Sequence, residues 1–425
     1  MIEAPFPGCV RAAGSTRSVR PMLMIVHAYY DEDPRVRREA ESLVASGRPV
    51  TVIGLRRPGD RRVDQLAGVH VIRLDVQRHQ GAGLLTYLGE YLSFGVRAGW
   101  RAIRLHRRAG YGVVEVHSLP DFLAFAALPL RLLGVPLILN LHEAMPEFFR
   151  SRFPRASGPI ADRLLHWQER LSITMSSATL SVNDAMRDRL LRLGFSPRKV
   201  TVVANSPSLQ RFAAADHPRR RFREDGRLRL IYAGGLTPIY EVDVAIRAVA
   251  QLAATRPDLD PVLEVYGRGD SDGALRALAS EMAIADRVTF HGRIPIDDVP
   301  AAIADTDIGL APTRLDGYTA LTMSTKIHEY AAMGKPVVAT RLPMVERTFP
   351  PGTVTLYDPG DDGAMVRAIA RLADDPLARD EAVERTAMIV SETAWEHEAQ
   401  TYIALVDHVA RDQVARVLEP TPHHR

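Results

Sequence analysis

Leu321–Thr340 reads LTMSTKIHEYAAMGKPVVAT. Ser324 and Thr325 are residue types that cap helices, and Lys326 and Glu329 follow in the first turns. Gly334-Lys335-Pro336 then stops the helix, and Val337–Ala339 opens a short, wholly apolar strand of the kind buried on both faces. A helix that hands directly to a buried strand belongs to a parallel βαβ unit. The same alternation fills the rest of the second half. Leu228–Ala233, Val262–Tyr266, Val288–Phe290, Ile308–Ala311 and Val354–Tyr357 are further strands, separated by helical segments.

The first half repeats the pattern. Met22–His27 is a strand, followed by a helix over Val36–Ser46 and by strands Val50–Gly54, Val69–Leu74, Val113–His117, Leu137–Leu141, Ala178–Val182 and Val200–Val203. Residues 205–227, polar and rich in Pro and Arg, interrupt the two series. The fold class is therefore α/β, with two Rossmann-like doubly wound domains. Ligands in such sheets bind at the carboxyl ends of strands, so the cleft between two such domains is the expected site. The expected boundaries are a disordered leader over 1–21, domains over 22–208 and 228–390, and a linker over 209–227. A helix over 391–412 carries Trp395, Tyr402, Leu405 and Val409 at helical spacing, and 413–425 is a flexible tail. That helix either closes the second domain or crosses back to brace the first.

Composition narrows the function classes. Of 425 residues, 46% are hydrophobic and 25% charged, which suits soluble globular domains. The single Cys9 forms no internal disulfide and no thiolate cluster, pointing to a cytoplasmic protein. The net charge of +3 is uneven: residues 1–210 carry 29 Lys+Arg against 18 Asp+Glu, and residues 211–425 carry 25 against 33. The most apolar stretch, Phe122–Leu139, is broken by Pro129, Arg131, Gly134 and Pro136, short of the roughly 20 apolar residues that a membrane span needs.

Free amides at the start of the Ser324/Thr325 helix, with Lys326 beside them, make an anion site suited to a diphosphate, and Glu329 lies on the same face. The competing reading is a capped surface helix with an ordinary ion pair between Lys326 and Glu329. Val265-Tyr266-Gly267-Arg268-Gly269 places two glycines after a strand, where backbone can approach a ligand closely. No G-x-G-x-x-G fingerprint occurs, which argues against a nicotinamide enzyme. Two first-half strands end in histidine, at His117 and His142, with Glu143 adjacent. Asp270-Ser271-Asp272 and Asp305-Thr306-Asp307 read as surface acids, and no His/Cys spacing fits zinc.

The Leu321–Thr340 segment resembles that of a family-4 glycosyltransferase with the GT-B fold. Four other segments resemble the same family: Asp31–Ile53, Arg187–Phe212, Leu230–Val249 and the Trp395 helix. The resemblance spans about residues 22–410. It implies a sugar moved from a nucleotide-diphosphate sugar to an acceptor, with retention, no metal and no other cofactor. By resemblance His117 and His142 lie near sugar and acceptor, Glu143 contacts the acceptor, and Glu329 takes the ribose. Gly234, Gly235, Ser324, Thr325 and the Gly267–Gly269 turn with Arg268 hold the nucleotide, and Lys326 stabilises the leaving diphosphate. The family's donor-domain Arg, Lys and first Glu are replaced here by Gly235, Tyr240 and Leu321. Lys326 matches a subset with a Lys-x-x-Glu-Tyr run. Two other readings stay open: a GT-B-fold epimerase or phosphorylase, and a degenerate transferase kept as a scaffold.

Tyr87–Arg108 and Phe148–Phe153 mix aromatics with arginines. They read either as core-facing helices with a basic outer face or as a surface for an anionic membrane or lipid-linked acceptor. The acidic second half excludes nucleic acid. The expected protein is a cytoplasmic, peripheral-membrane glycosyltransferase of surface-polysaccharide or glycolipid assembly, acting on a glycan, lipid-linked or small-molecule acceptor.

Overall fold

The computed structural model describes residues 19–77, 79, 83–218 and 220–418. The chain divides into two compact units, one formed by residues up to Ala204 together with Glu398 onward, the other by Asn205–His397.

The first unit is built on β1 (Met22–Ile25), β2 (Val50–Leu55), β3 (Val63–Leu66), β4 (Val69–Leu74), β5 (Val113–His117), β6 (Leu137–Leu141), β7 (Ala178–Ser181) and β8 (Val200–Val202). They pair in the order β3-β4-β2-β1-β5-β6-β7-β8. Every pairing is parallel except the β3–β4 hairpin. Its helices are α1 (Pro34–Ala45), α2 (Leu84–Ala109), α3 (Leu128–Leu132), α4 (Met145–Arg152), α5 (Pro159–Met175) and α6 (Asp184–Arg192). The central strands β1, β2, β5 and β6 are buried throughout, as helices on both faces require. Strand β3 is absent from the apolar-run reading because its residues alternate between exposed and half-buried at the sheet edge.

The second unit uses β9 (Leu228–Ala233), β10 (Pro261–Tyr266), β11 (Val288–Gly292), β12 (Ile308–Ala311), β13 (Val337–Thr340) and β14 (Thr355–Tyr357). All pairings are parallel, in the order β11-β10-β9-β12-β13-β14. Counted from β9, this is the 3-2-1-4-5-6 order of nucleotide-binding sheets, whose switch point lies between β9 and β12. The helices are α7 (Val242–Thr255), α8 (Asp272–Glu281), α9 (Val299–Ala304), α10 (Thr325–Ala332), α11 (Pro343–Thr348), α12 (Asp362–Asp374) and α13 (Pro376–Glu392). One core packs Tyr232, Leu263 and Leu310 against α7 and α12, and another packs Ile231 and Ala339 against α10.

Helix α14 (Trp395–Leu418) begins in the second unit and belongs to the first from Glu398 on. The Trp395 amide donates to the Pro207 carbonyl at 3.0 Å, whereas Tyr402 and Asp407 bond to Glu115 and Arg48. Of the two roles left open for this helix, it takes the crossing one. Its helical run reaches Leu418, so the tail expected from residue 413 is helical over its first residues; residues 419–425, and 1–18 of the leader, lie outside the described residues. Asp307 is a correction: it is buried, not a surface acid. Its carboxylate accepts the Arg223 and Arg229 amides at 2.9 and 2.8 Å, tying the segment before β9 to the sheet.

Candidate functional site

In the second unit the site residues converge at the switch point. The loop leaving β9 and the loop leaving β10 lie against each other. The Gly234 amide donates to the Tyr266 carbonyl at 2.9 Å, the Leu236 amide to the Arg268 carbonyl at 3.1 Å and the Gly267 amide to the Gly292 carbonyl at 2.8 Å. Gly267 sits at φ +139°, and a Cβ there would fall 1.8 Å from the Gly234 carbonyl oxygen; at Gly269 a Cβ would fall 2.1 Å from that of Leu236. These glycines therefore allow two loops of the protein to meet. The amides of Gly234 and Gly267 are likewise engaged within the protein. That of Gly235 takes part in none of these bonds. Arg268 is exposed.

Lys326 lies over this loop. It is 8% exposed, and a Cβ on Gly234 would sit 2.2 Å from its Cε. A Cβ at 234 would push the lysine head off this position. Its Nζ is 4.0 Å from the ring centroid of Tyr240 and 5.3 Å from that of Tyr232, so the ammonium rests on aromatic faces. Burial lowers its pKa to about 8, and attraction to Glu329 offsets this only in part. Glu329 is half-buried one turn on. Ser324 occupies the N-cap of α10 with Thr325 as first helical residue, but the Ser324 hydroxyl caps nothing. Its Oγ is buried without a hydrogen-bond partner among the described residues.

Two tyrosines fix the loop; the sequence reading gave no role to Tyr232 and had Tyr330 only as the last position of the Lys-x-x-Glu-Tyr run. Tyr232 donates its hydroxyl to the Gly235 carbonyl at 2.6 Å, and the Ala233 amide donates to the Tyr330 hydroxyl at 2.9 Å. The Tyr330 ring lies over Gly309 of β12, where a Cβ would fall 2.3 Å away, so α10 is seated on the strand beside the loop. A tyrosine next to Glu329 on the core face of a helix was the available signal.

In the first unit His117 ends β5 and His142 follows β6. The rings stack with centroids 5.3 Å apart, and His117 Nδ1 lies 3.1 Å from His142 Nε2. Burial lowers the His117 pKa to about 3 and holds His142 well below its ordinary value, so both imidazoles are neutral. One ring donates the bridging proton and the other accepts it. His117 Nε2 and His142 Nδ1 have no partner among the described residues. Whichever tautomer holds, one of these two atoms is an N–H and the other a lone pair. Ser118 Oγ accepts the His142 amide at 3.0 Å. Glu143 is half-buried and its pKa rises to about 7 through desolvation, against the pull of Arg35.

Beneath this pair runs a polar network with no counterpart in the sequence reading. Asn140 Nδ2 donates to Glu39 Oε2 at 3.1 Å and to Glu115 Oε1 at 2.9 Å, and Tyr402 donates to Glu115 Oε2 at 2.5 Å. Glu39 Oε2 lies 3.7 Å from His117 Nδ1. Burial raises both carboxyls, Glu115 to about 7. Glu39, Glu115 and His117 bring ligand-type atoms within 4.8 Å of one another. Asn140 and Tyr402 already give the carboxylates hydrogen-bond donors, which is the arrangement of shared protons rather than of a cation cage.

Two nucleotide-type parallel sheets, with a lysine and a helix start at the switch point of the second, define the fold of GT-B glycosyltransferases. The chain matches the Glycosyl transferase 4-like domain over residues 33–206 and the Glycosyl transferases group 1 domain over residues 227–375. It belongs to the family-4-like glycosyltransferases, and it is a nucleotide-sugar-dependent transferase. It is 28% identical over 379 residues to an alpha-D-kanosaminyltransferase of Streptomyces kanamyceticus, covering 83% of this chain and 92% of that one. It is 25% identical over 319 residues to a D-inositol 3-phosphate glycosyltransferase of Pseudarthrobacter chlorophenolicus, covering 72% and 74%. The fold matches sucrose-phosphate synthase from Thermosynechococcus elongatus with a TM-score of 0.72 at 17% identity, over 92% of this chain and 99% of that one. The epimerase or phosphorylase reading is not favoured.

Proposed function

We propose that the second unit holds the diphosphate of the donor sugar between Lys326, the Gly235 amide and the start of α10, and that Glu329 receives the ribose hydroxyls. The observation that carries this is the buried Lys326 ammonium lying over Gly234 with aromatic rings as its neighbours. A diphosphate would supply the anion that burial makes favourable there and raise the lysine pKa again. The unpartnered Ser324 Oγ beside the helix N-terminus supports the same position. As charge grows on the departing diphosphate, Lys326 and the helix amides stabilise it, with no metal in the scheme.

The acceptor hydroxyl and the transferred sugar are read by the His117–His142 pair, whose two outer nitrogens together offer one donor and one acceptor. An imidazole with a pKa of about 3 has little capacity to keep a proton. The acceptor proton therefore passes to the departing diphosphate oxygen, on the face the leaving group vacates. The anomeric C–O bond to the diphosphate breaks, a C–O bond to the acceptor forms on that same face, and configuration is retained. Glu143 contacts the acceptor. A polyol acceptor fits this pair, and one relative is named for an inositol phosphate. Acceptors carried on a lipid at the cytoplasmic face of a membrane fit the basic first half of the chain.

The test is thermal denaturation with a panel of nucleoside diphosphates and their sugars. A ligand at 100 times its dissociation constant adds about 2.7 kcal/mol to folded-state stability. Stabilisation of the parent by one base series, lost in Lys326→Ala, is expected. Equal stabilisation of both proteins, or none of the parent, overturns the donor assignment.

A further inference from the structure

Helix α2 is apolar on two opposite faces. One buries Phe94, Ala98, Ala102 and Leu105. The other turns Leu85, Leu92, Val96 and Trp100 outward, at 83%, 51%, 74% and 59% exposure. Steps of seven and four residues keep these side chains in one stripe along the helix. Helix α5 repeats the device with Ile160, Leu164 and Trp167, at 81%, 61% and 62% exposure. Between them α3 exposes Leu132 at 79%. All three helices pack on the 3-10 segment Asp121–Ala127, which makes them neighbours within the first unit. The Tyr91 ring of α2 meets Phe122 of that segment edge-on at 6.4 Å. Scattered exposed leucines need no explanation, but a face built from aligned stripes does.

Charge identifies the occupant. Every exposed charged residue on these helices is an arginine: Arg97, Arg104, Arg107 and Arg108 on α2, and Arg163 and Arg170 on α5. Their acids are withdrawn: Glu90 and Glu169 are buried, and Asp162 is half-buried with Arg150 at 3.5 Å. The Arg104 guanidinium lies over the Trp100 ring at 4.4 Å, joining the cationic end of the stripe to its apolar part. A second copy docked through this face would set arginines against arginines. A nucleic acid would use the arginines and leave the leucines in water.

We infer that this face of the first unit docks on an anionic lipid surface, with Trp100 and Trp167 at the headgroup boundary and the arginines on the lipid phosphates. Among the described residues no helix is long and apolar enough to cross a membrane, so the attachment is peripheral. Each arginine that reaches an anionic surface strengthens binding roughly fivefold at low salt. The inference stands independently of the donor site.

The experiment mixes the full chain with vesicles of phosphatidylcholine alone and with vesicles containing one third phosphatidylglycerol. Binding is read by co-sedimentation and by tryptophan emission. Trp395 is buried, so a blue shift reports on Trp100 and Trp167. The expected result is at least tenfold tighter binding to the anionic vesicles, weakened by salt, with a blue shift. The double variant Trp100→Ser/Trp167→Ser loses at least tenfold in vesicle affinity at an unchanged melting temperature, since both side chains are exposed. Equal binding to neutral vesicles, no binding to either, or a double variant that binds like the parent overturns the inference. So does a concentration-dependent dimer that the same variant dissociates, because the face is then a self-association surface. The nucleotide thermal shift, measured on both proteins, separates a failure here from a failure of the donor assignment.

Discussion

The two units bury charge in opposite ways. In the first, Glu39, Glu115, Asn140, Tyr402, His117 and His142 are buried together, and each carboxylate receives a hydrogen bond from a neutral partner. In the second, Lys326 is buried among tyrosine rings, with the half-buried Glu329 as its opposing charge. A network that satisfies itself is a scaffold for the groups at its edge; a cation held on ring faces is, in the proposed donor assignment, kept for an anion that arrives later. Lys326→Met separates the two cases most sharply. It keeps the volume and removes the charge, so the unliganded protein should hold or gain stability on thermal denaturation. Turnover should fall by about 10²–10³, the size of removing one stabilising group from a developing negative charge. A variant that melts lower and keeps its turnover would make the lysine structural and end the contrast.

The tyrosines give the next test. Tyr402→Phe removes the hydrogen bond to Glu115 and leaves a buried carboxyl short of a donor; Tyr330→Phe strips the Ala233 amide of its acceptor. Each should cost about 1–3 kcal/mol of stability by chemical denaturation. The contrast predicts different kinetic consequences. Tyr330→Phe loosens the loop under Lys326 and should raise the KM for the donor, whereas Tyr402→Phe acts on the first unit and should leave donor KM unchanged. Equal donor effects from both would break the division of labour.

What was legible in the sequence divides along the same line. Largely apolar runs marked the parallel strands because burial on both faces leaves few polar positions, and only the alternating edge strand β3 escaped. Lys326, Glu329 and the strand-end histidines stood at helix and strand termini, where one-dimensional pattern carries information. The partners of these groups did not. Tyr232 and Tyr330 are 98 residues apart in numbering yet pin the same loop, and Glu115 meets Tyr402 from a distant helix. The clue was local disagreement: Glu115 inside the apolar run Val113–His117, and Glu39 on the core face of α1 beside Val36, Ala40 and Leu43. The loop-to-loop packing at Gly267 and Gly269 was not legible, because a glycine that admits a ligand and one that admits another loop look alike in sequence.

pH draws the finest distinction. Glu115 rises in the fold from 4.5 to about 7, so the native state holds a proton that the unfolded chain releases, and this group's contribution to stability declines as pH climbs from about 4.5 to 7. Lys326 falls from 10.5 to about 8, so the unfolded chain holds the extra proton, and its contribution improves as pH climbs from about 8 to 10.5. Over that upper window donor affinity should move the other way, because the neutral amine no longer attracts the diphosphate. A nucleotide sugar, whose diphosphate does not titrate there, should bind about tenfold more weakly per pH unit above about 8, and calorimetry in buffers of different ionisation enthalpy should register proton uptake on binding. Lys326→Met should remove both the slope and the uptake. Donor affinity that stays level from pH 7 to 9.5 in the parent would mean that the ammonium does not face the diphosphate, and the anion would then be held by the amides of α10 and Gly235 alone.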